Sequence, residues 1–377
     1  MEVYLDNSAT TPVCAEALEA IQQALHSTWG NPSSLHRVGL KAEHLLNQSR
    51  AALAQALGCT PGEITFTSGG TEANNLAMFG ATSARRRQGR RIVTSSVEHS
   101  SIAESVAELQ KRGYEVVYLD VDSTGRVPES ELARAINKET ILVSLMAVNN
   151  EVGTVQPIDA IRRAVRYVGA PALIHCDAVQ AFGKLPVHPA RMGIDLLTVS
   201  SHKIHGPKGA GALYVRKGVK INPIMFGGSQ ENRLRPGTEA MPVVAGFAAA
   251  AEAIPDLTQS LAYVTILRDR LITGLSAMAG VHINSPPDAL PYLVNISVPG
   301  LPSEIMLNFL TERGVHVSSG SACAKGSKSR VLRAMQLPDA LVASALRISL
   351  SRHSKWEEID AFLVALNDAM NTLARKS

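Results

Sequence analysis

The sequence predicts an α/β protein, with a mostly parallel β-sheet covered on both faces by helices and a smaller α+β domain beside it. Three observations predict this. From about residue 40 to 255, short apolar runs alternate with segments of helical periodicity. Such alternation favours strand–helix units around a buried sheet. Beyond residue 255 the pattern changes to a long helix, three strands and a closing helix. The chain has 377 residues, 45% of them hydrophobic, which is enough for one large domain and a smaller one.

The elements follow in order. "MEVYLDNSATTP" starts acidic and strand-like, and lacks the basic and apolar regions of a signal peptide. Seven runs then read as strands: "EITFTSGG", "RRIVTSS", "YEVVYLD", "ILVSLMAV", "ALIHCDA", "DLLTVSS" and "GALYVR". Segments such as "HSSIAESVAELQKRG" and "DAIRRAVRYVG" carry the helical period. "PDLTQSLAYVTILRDRLITGLSAMAG" predicts a long helix, and "YLVNISVP", "VHVSSG" and "ALRISLS" predict three more strands. "SKWE", Ser354 to Glu357, fits a capping box that opens the last helix. The expected division is a large domain at 15–255 and a small one formed by 1–14 and 256–377.

Composition excludes several function classes. A net charge of +4, with no Lys/Arg stripe interleaved with aromatics, gives no reason to expect direct nucleic-acid binding. The basic cluster "RRRQGRR" reads as a solvated loop. No run of about 18 apolar residues exists, so no membrane span is expected. The four cysteines, Cys14, Cys59, Cys176 and Cys323, form no CxxC pair. Neither a disulfide framework nor a metal site is expected, and the cytoplasm is the expected compartment.

In a sheet of this class, ligands sit beyond the carboxyl ends of the strands. Polar residues cluster there. Ser68-Gly69-Gly70-Thr71 ends one strand and opens a helix, which offers backbone N–H groups to a phosphate. His99 follows the next strand, and Asn149-Asn150 follows "ILVSLMAV". Asp177 ends an apolar strand, where a carboxylate needs a partner. Gln180 lies three residues on. Ser200, His202 and Lys203 end "DLLTVSS", while Lys208, between Pro207 and Gly209, reads as an exposed turn residue. An anion cradle, a flat imidazole, amides, an acid and a lysine are the parts a pyridoxal 5'-phosphate site needs. Lys203 is the candidate for the covalent bond to its aldehyde.

Motifs along essentially the whole chain carry a resemblance: "YLDNSATTP", "GNPSSLHRVG", "TSGGTEANN", "EHSS", "VNNEVGTVQP", "CDAVQAFGK", "SSHKIHGPKGAGALYV", "RPGTEAMP", "SSGSACAKG" and "ALRISLS". With them the sequence resembles a cysteine desulfurase of the class V aminotransferase family. The likeness is to group I, which serves iron–sulfur cluster and thiolated-tRNA synthesis and carries its cysteine in a longer mobile loop.

The resemblance implies a fold type I pyridoxal-phosphate-dependent transferase with a seven-stranded sheet. It implies that Lys203 binds the cofactor and acts as general base, that His99 stacks on the pyridine ring and that Asp177 pairs with its nitrogen. Gln180 bonds the phenolic oxygen, and Asn149 lies near cofactor and substrate. Gly70, Thr71, Ser200 and His202 hold the phosphate, and Thr238 completes that site from the second subunit of a homodimer. Arg347 clamps the substrate carboxylate, which its planar fork suits. Cys323, in a loop at about 318–330, attacks the sulfur of L-cysteine. It keeps the sulfur as a persulfide while L-alanine leaves.

The implied recipient is a transient acceptor protein of iron–sulfur, tRNA-thiolation or DNA-phosphorothioation type. The chain departs from the resemblance in one place. The segment "AKGSKSR" after Cys323 is slightly short, and its Lys325, Lys328 and Arg330 favour a thiolate. Cys176 reads as core packing, and Cys14 and Cys59 as structural. A selenocysteine lyase or another class V pyridoxal enzyme is the alternative, although a transaminase would need no thiol at Cys323.

Overall fold

The computed structural model of the protein describes residues 2–319 and 329–373. Its strands are β1 (Val3–Tyr4), β2 (Ile64–Thr67), β3 (Arg91–Ser95), β4 (Glu115–Leu119), β5 (Thr140–Met146), β6 (Leu173–Asp177), β7 (Leu196–Ser200), β8 (Gly211–Val215), β9 (His282–Ile283), β10 (Leu293–Ser297), β11 (Val315–His316) and β12 (Ala345–Ser349).

The seven expected strands form one sheet in the order β2-β8-β7-β6-β5-β3-β4. Only β8 runs against its neighbours, β2 and β7. The pairs from β7 across to β4 are parallel, so the sheet is mostly parallel as expected. β5, β6 and β7 are buried along their whole length, which is why they read as unbroken apolar runs. Alternate side chains pack on opposite faces. Leu173 and Leu196 join one apolar cluster with Leu76, Ile102 and Val106 of the helices Gly70–Arg85 and Ser100–Lys111. Ile174, Cys176, Leu197 and Val199 join the other, with Ile161 and Phe247 of the helices Ile158–Val168 and Met241–Glu252.

The smaller α+β part has β10 between β9 and β12, both antiparallel to it. β1 pairs in parallel with β11, so the N-terminal arm joins the C-terminal part of the chain. The long helix runs over Leu257–Ser276, with the Asp256 carboxylate accepting from the Gln259 N–H at 2.9 Å. One capping expectation needs correction. The last helix is Trp356–Thr372 and its N-cap is Lys355, not Ser354. Glu358, three residues on, accepts from the Lys355 N–H at 2.7 Å, while the Ser354 hydroxyl is used by the Ser351 N–H.

After β1 the arm crosses from one part to the other. Asn7 N–H donates to the carbonyl of Ser349 at the end of β12, and Thr11 N–H donates to the carbonyl of His202 just beyond β7. The residues between, Ser8 to Thr10, are thereby laid across the carboxyl end of the large sheet. Among the described residues no helix is long and apolar enough to cross a membrane. No His/Cys/Asp/Glu cluster there could hold a metal.

Candidate active site

A cavity of about 530 Å³ opens at the carboxyl ends of the strands. β2, β3, β5, β6 and β7 share one direction, so their ends meet on one edge although they are far apart in sequence. Gly70, Thr71, His99, Asp177, Gln180, Ser200, His202, Lys203 and Arg347 all line this cavity.

The anion cradle is built by close approach. A Cβ on Gly70 would sit 3.0 Å from Val179 Cγ2, and one on Gly211 would sit 2.6 Å from the carbonyl carbon of Gly69. Side chains there would push the start of helix Gly70–Arg85 away from the turn after β6 and from the start of β8. Beside it, the Ser200 hydroxyl is buried and finds no hydrogen-bond partner among the described residues. A buried hydroxyl without a partner is costly, and a bound phosphate oxygen would satisfy it. Burial, and then the charge of Lys203, push His202 down to about 4, so its imidazole is neutral. The residues present therefore fit the phosphate of pyridoxal phosphate.

The expected partner of Asp177 is now visible. Its Oδ2 accepts from Asn74 Nδ2 at 2.7 Å and its Oδ1 from the Val179 N–H at 3.0 Å. Asn74 Nδ2 also donates to the Ser101 hydroxyl at 2.8 Å, and that hydroxyl lies 2.8 Å from His99 Nδ1. His99 caps helix Ser100–Lys111, with Nδ1 accepting the Ser101 N–H at 3.2 Å. Nδ1 is therefore the acceptor, and Nε2 carries the proton of the neutral ring. Burial holds His99 below its ordinary range, despite the opposing pull of Asp177.

Lys203 stands at the end of a short 3₁₀ turn, Ser201–Lys203, just past β7. Its amine donates to the Ala9 carbonyl at 2.7 Å and to the Ser8 carbonyl. Gln180 also donates to the Ser8 carbonyl, at 3.0 Å, and its Oε1 accepts from Lys184 at 3.1 Å. Lys184 is 7% exposed, and burial pushes its amine down to about 7, helped by the charges of Lys203 and Arg347. Lys208 is exposed in a turn.

Arg347, in the middle of β12, is 2% exposed. It holds Asp6 Oδ1 at 2.7 Å and the Asn150 carbonyl at 3.0 Å. Its backbone pairs with Ser318. On the opposite side, the Ser329 hydroxyl donates to Glu151 Oε2 at 2.5 Å, and Arg330 donates to the Glu98 carbonyl at 2.5 Å. Glu98, Glu151 and Arg330 all line the cavity. Cys323, Lys325 and Lys328 lie outside the described residues; on one flank of their segment Arg330 lines the cavity, and on the other Ser318 pairs with Arg347.

One expectation meets a different geometry. Asn149 is buried one layer behind the wall, and Asn150 lines the cavity in its place. The Asn149 amide is used within the protein: Oδ1 accepts from the N–H groups of Glu151 and Val152, and Nδ2 donates to the Val97 carbonyl. Thr238 is exposed and does not line the cavity of its own chain. Sequence reasoning also missed Asn74, Glu98, Ser101, Glu151 and Lys184. Their only signal was membership of motifs already quoted, because contact across strands gives them their place.

The family model for aminotransferase class V matches residues 3–362. The chain is 42% identical over 379 residues to a cysteine desulfurase, IscS, of Methanosarcina thermophila, covering 100% of this chain and 93% of that one. Among solved structures, a NifS-like protein superposes with a TM-score of 0.94 at 36% identity, covering 99% of this chain and 100% of the other. A protein titled SspA in complex with cysteine superposes at 0.83 with 34% identity, covering 94% and 100%.

Proposed function

Because the chain belongs to the class V aminotransferase family and is a cysteine desulfurase, we propose that this cavity binds pyridoxal phosphate and L-cysteine and divides the reaction among its residues. The observation that carries the reading is the convergence of nine sequence-named residues, from four strand ends and β12, on one cavity. Bound pyridoxal phosphate supplies an electron sink that stabilises a carbanion at the substrate Cα and weakens the Cβ–S bond.

The protein residues do the rest. Gly70, Thr71, Ser200 and His202 hold the phosphate. Asp177, fixed by Asn74 and the Val179 N–H, keeps a proton on the ring nitrogen. His99 presents a flat neutral ring for stacking, and Gln180, whose carbonyl Lys184 occupies, would offer its second amide N–H to the phenolic oxygen. Lys203 would hold the cofactor's aldehyde carbon until the substrate amine displaces it, and the amine so freed would take the Cα proton. Arg347 receives the substrate carboxylate. Asn149 shapes the turn that carries Asn150 and Glu151.

Cys323 as thiolate attacks the substrate sulfur. An S–S bond forms, the Cβ–S electron pair returns to the carbon skeleton, and L-alanine follows after protonation. The other thiols support this choice by their environments. Cys176 is pushed well above the ordinary range by burial first, then by Asp177 and Glu98. Burial, aided by Glu63, pushes Cys59 up to about 12, and burial raises Cys14. None of the three lines the cavity. The test is Cys323→Ser, which keeps bound cofactor but makes neither alanine nor persulfide. Alanine at the wild-type rate would place the nucleophile elsewhere.

The same reading includes a homodimer in which Thr238 serves the neighbouring copy's phosphate. Mixing inactive Lys203→Ala chains with inactive Thr238→Ala chains restores activity if the site is shared. A mixture as dead as its parents rejects the sharing. The persulfide passes to an acceptor protein of an iron–sulfur or thiolation system. A domain division at 15–255 against 1–14 with 256–377 also belongs to this reading, supported by the β1–β11 pairing. So does a cytoplasmic location, which the free thiols Cys14, Cys59 and Cys176 suit.

A further inference from the structure

Glu98 sits in the cavity wall directly before His99 and has no part in the reaction as derived above. It is 2% exposed. Both of its hydrogen bonds fall on one oxygen: Oε1 accepts from the Ser95 hydroxyl at 2.6 Å and from the Met146 N–H at 3.0 Å. The other oxygen, Oε2, is buried and finds no partner among the described residues. The nearby guanidinium of Arg330 donates to the Glu98 backbone carbonyl and not to its carboxylate. A buried carboxylate with one oxygen unsatisfied and no ion pair among the described residues is strongly disfavoured, so the group keeps its proton instead. Ser95 ends β3 and Met146 ends β5, so one side chain ties together two strand ends that feed the cavity.

We propose that Glu98 works as an uncharged carboxylic acid, a positioning residue that locks the ends of β3 and β5 under His99 and leaves Asp177 the carboxylate facing the cofactor's ring. The proposal rests on the reading of this cavity as the pyridoxal phosphate site. Burial is the largest influence on Glu98 and pushes it up to about 8, with the charge of Asp177 adding to the rise and Arg330 opposing it. His99, Asp177, Cys176 and Arg330 are the titratable and charged groups around it, and all remain in the variants below.

The sign of the pH effect follows. An ordinary glutamate releases its proton near 4.5, whereas folded Glu98 holds it to about 8. Between these values the folded chain holds a proton that the unfolded chain has lost. Raising the pH across that window therefore favours unfolding, and the contribution is lost as pH passes the folded value.

The test uses the holoenzyme with Glu98→Gln and Glu98→Ala. Thermal midpoints and retention of pyridoxal phosphate are followed from pH 5 to 9. Glu98→Ala releases the two strand ends and weakens cofactor retention about tenfold, the effect of losing a buried hydrogen bond or two. Glu98→Gln, neutral at every pH and able to accept the same two bonds, restores retention. Its thermal midpoint falls less than that of the wild type between pH 5 and 8. Two results overturn the proposal. One is a Gln variant that loses cofactor as badly as the Ala variant at pH 6.5, as a required carboxylate would demand. The other is a pair of parallel midpoint curves for wild type and Gln variant. The midpoint curves need no turnover, so they stand apart from any failure of the desulfurase mechanism, which Cys323→Ser tests.

Discussion

The cavity surface and the layer behind it treat the same residue types in opposite ways. At the surface, Asp177 has an N–H donor on each oxygen and Lys203 meets the carbonyls of Ser8 and Ala9. Beside them in the wall Glu98 is pushed up to about 8, and in the layer behind Lys184 is pushed down to about 7, each mainly by burial. An acid and a base are thus both drawn toward their neutral forms wherever water is excluded and no counter-ion touches them. The difference teaches that charge in this site is rationed by contact geometry. Residue type alone would have counted two acids and two lysines as equals.

The comparison can be broken most sharply at the lysines. Lys203→Ala removes both the covalent hold on the cofactor and the base for the Cα proton. Turnover should fall by about 10³-fold or more, with loss of covalently retained cofactor. Sulfide release and cofactor absorbance check this, and normal turnover would reject the role. Lys184→Met acts from the layer behind. It frees the Gln180 amide to rotate, and losing one hydrogen bond of about 0.5–1.5 kcal/mol should weaken cofactor retention roughly 2- to 12-fold.

Lys184 also gives a pH signature opposite to that of Glu98. Its ordinary value is 10.5 and its folded value about 7. The penalty for burying it is full below pH 7 and fades as pH rises toward 10.5. The thermal midpoint of Lys184→Met, relative to the wild type, should therefore be highest near pH 6.5 and decline by pH 10. A difference independent of pH would show that Lys184 is buried at no protonic cost. The smallest effect belongs to Lys208→Ala, a change within about twofold in turnover, because its side chain is exposed in a turn and does not line the cavity.

The strands that read as apolar runs were legible because burial on both faces removes any need for alternation, as β5, β6 and β7 show. The site residues were legible where a strand end carries its chemistry with it: Asp177 closes β6, and Ser200 to Lys203 close β7. The last helix shows the limit. "SKWE" satisfies the capping pattern as letters, yet the helix begins one residue later, because Ser354 already serves the Ser351 N–H. Asn149 and Asn150 show another. Nothing in adjacent amides says which one turns inward to brace the loop and which one faces the cavity.

The sequence by itself determined the sheet class, the motif order and the family, since periodicity and short motifs are local properties of the chain. It also named Lys203 and Asp177, because lysine and acid chemistry is intrinsic to those side chains, and Arg347 through the family resemblance. Tertiary structure alone decided how those groups are wired. Asn74 joins Asp177 to Ser101 and His99 from another helix, and Ser8, brought across from the N-terminal arm, receives both Lys203 and Gln180. It also decided which titratable groups face the cavity with partners and which are starved of them. The reason is physical: desolvation and hydrogen-bond geometry depend on what surrounds an atom, and residues more than a hundred positions apart supply those surroundings here.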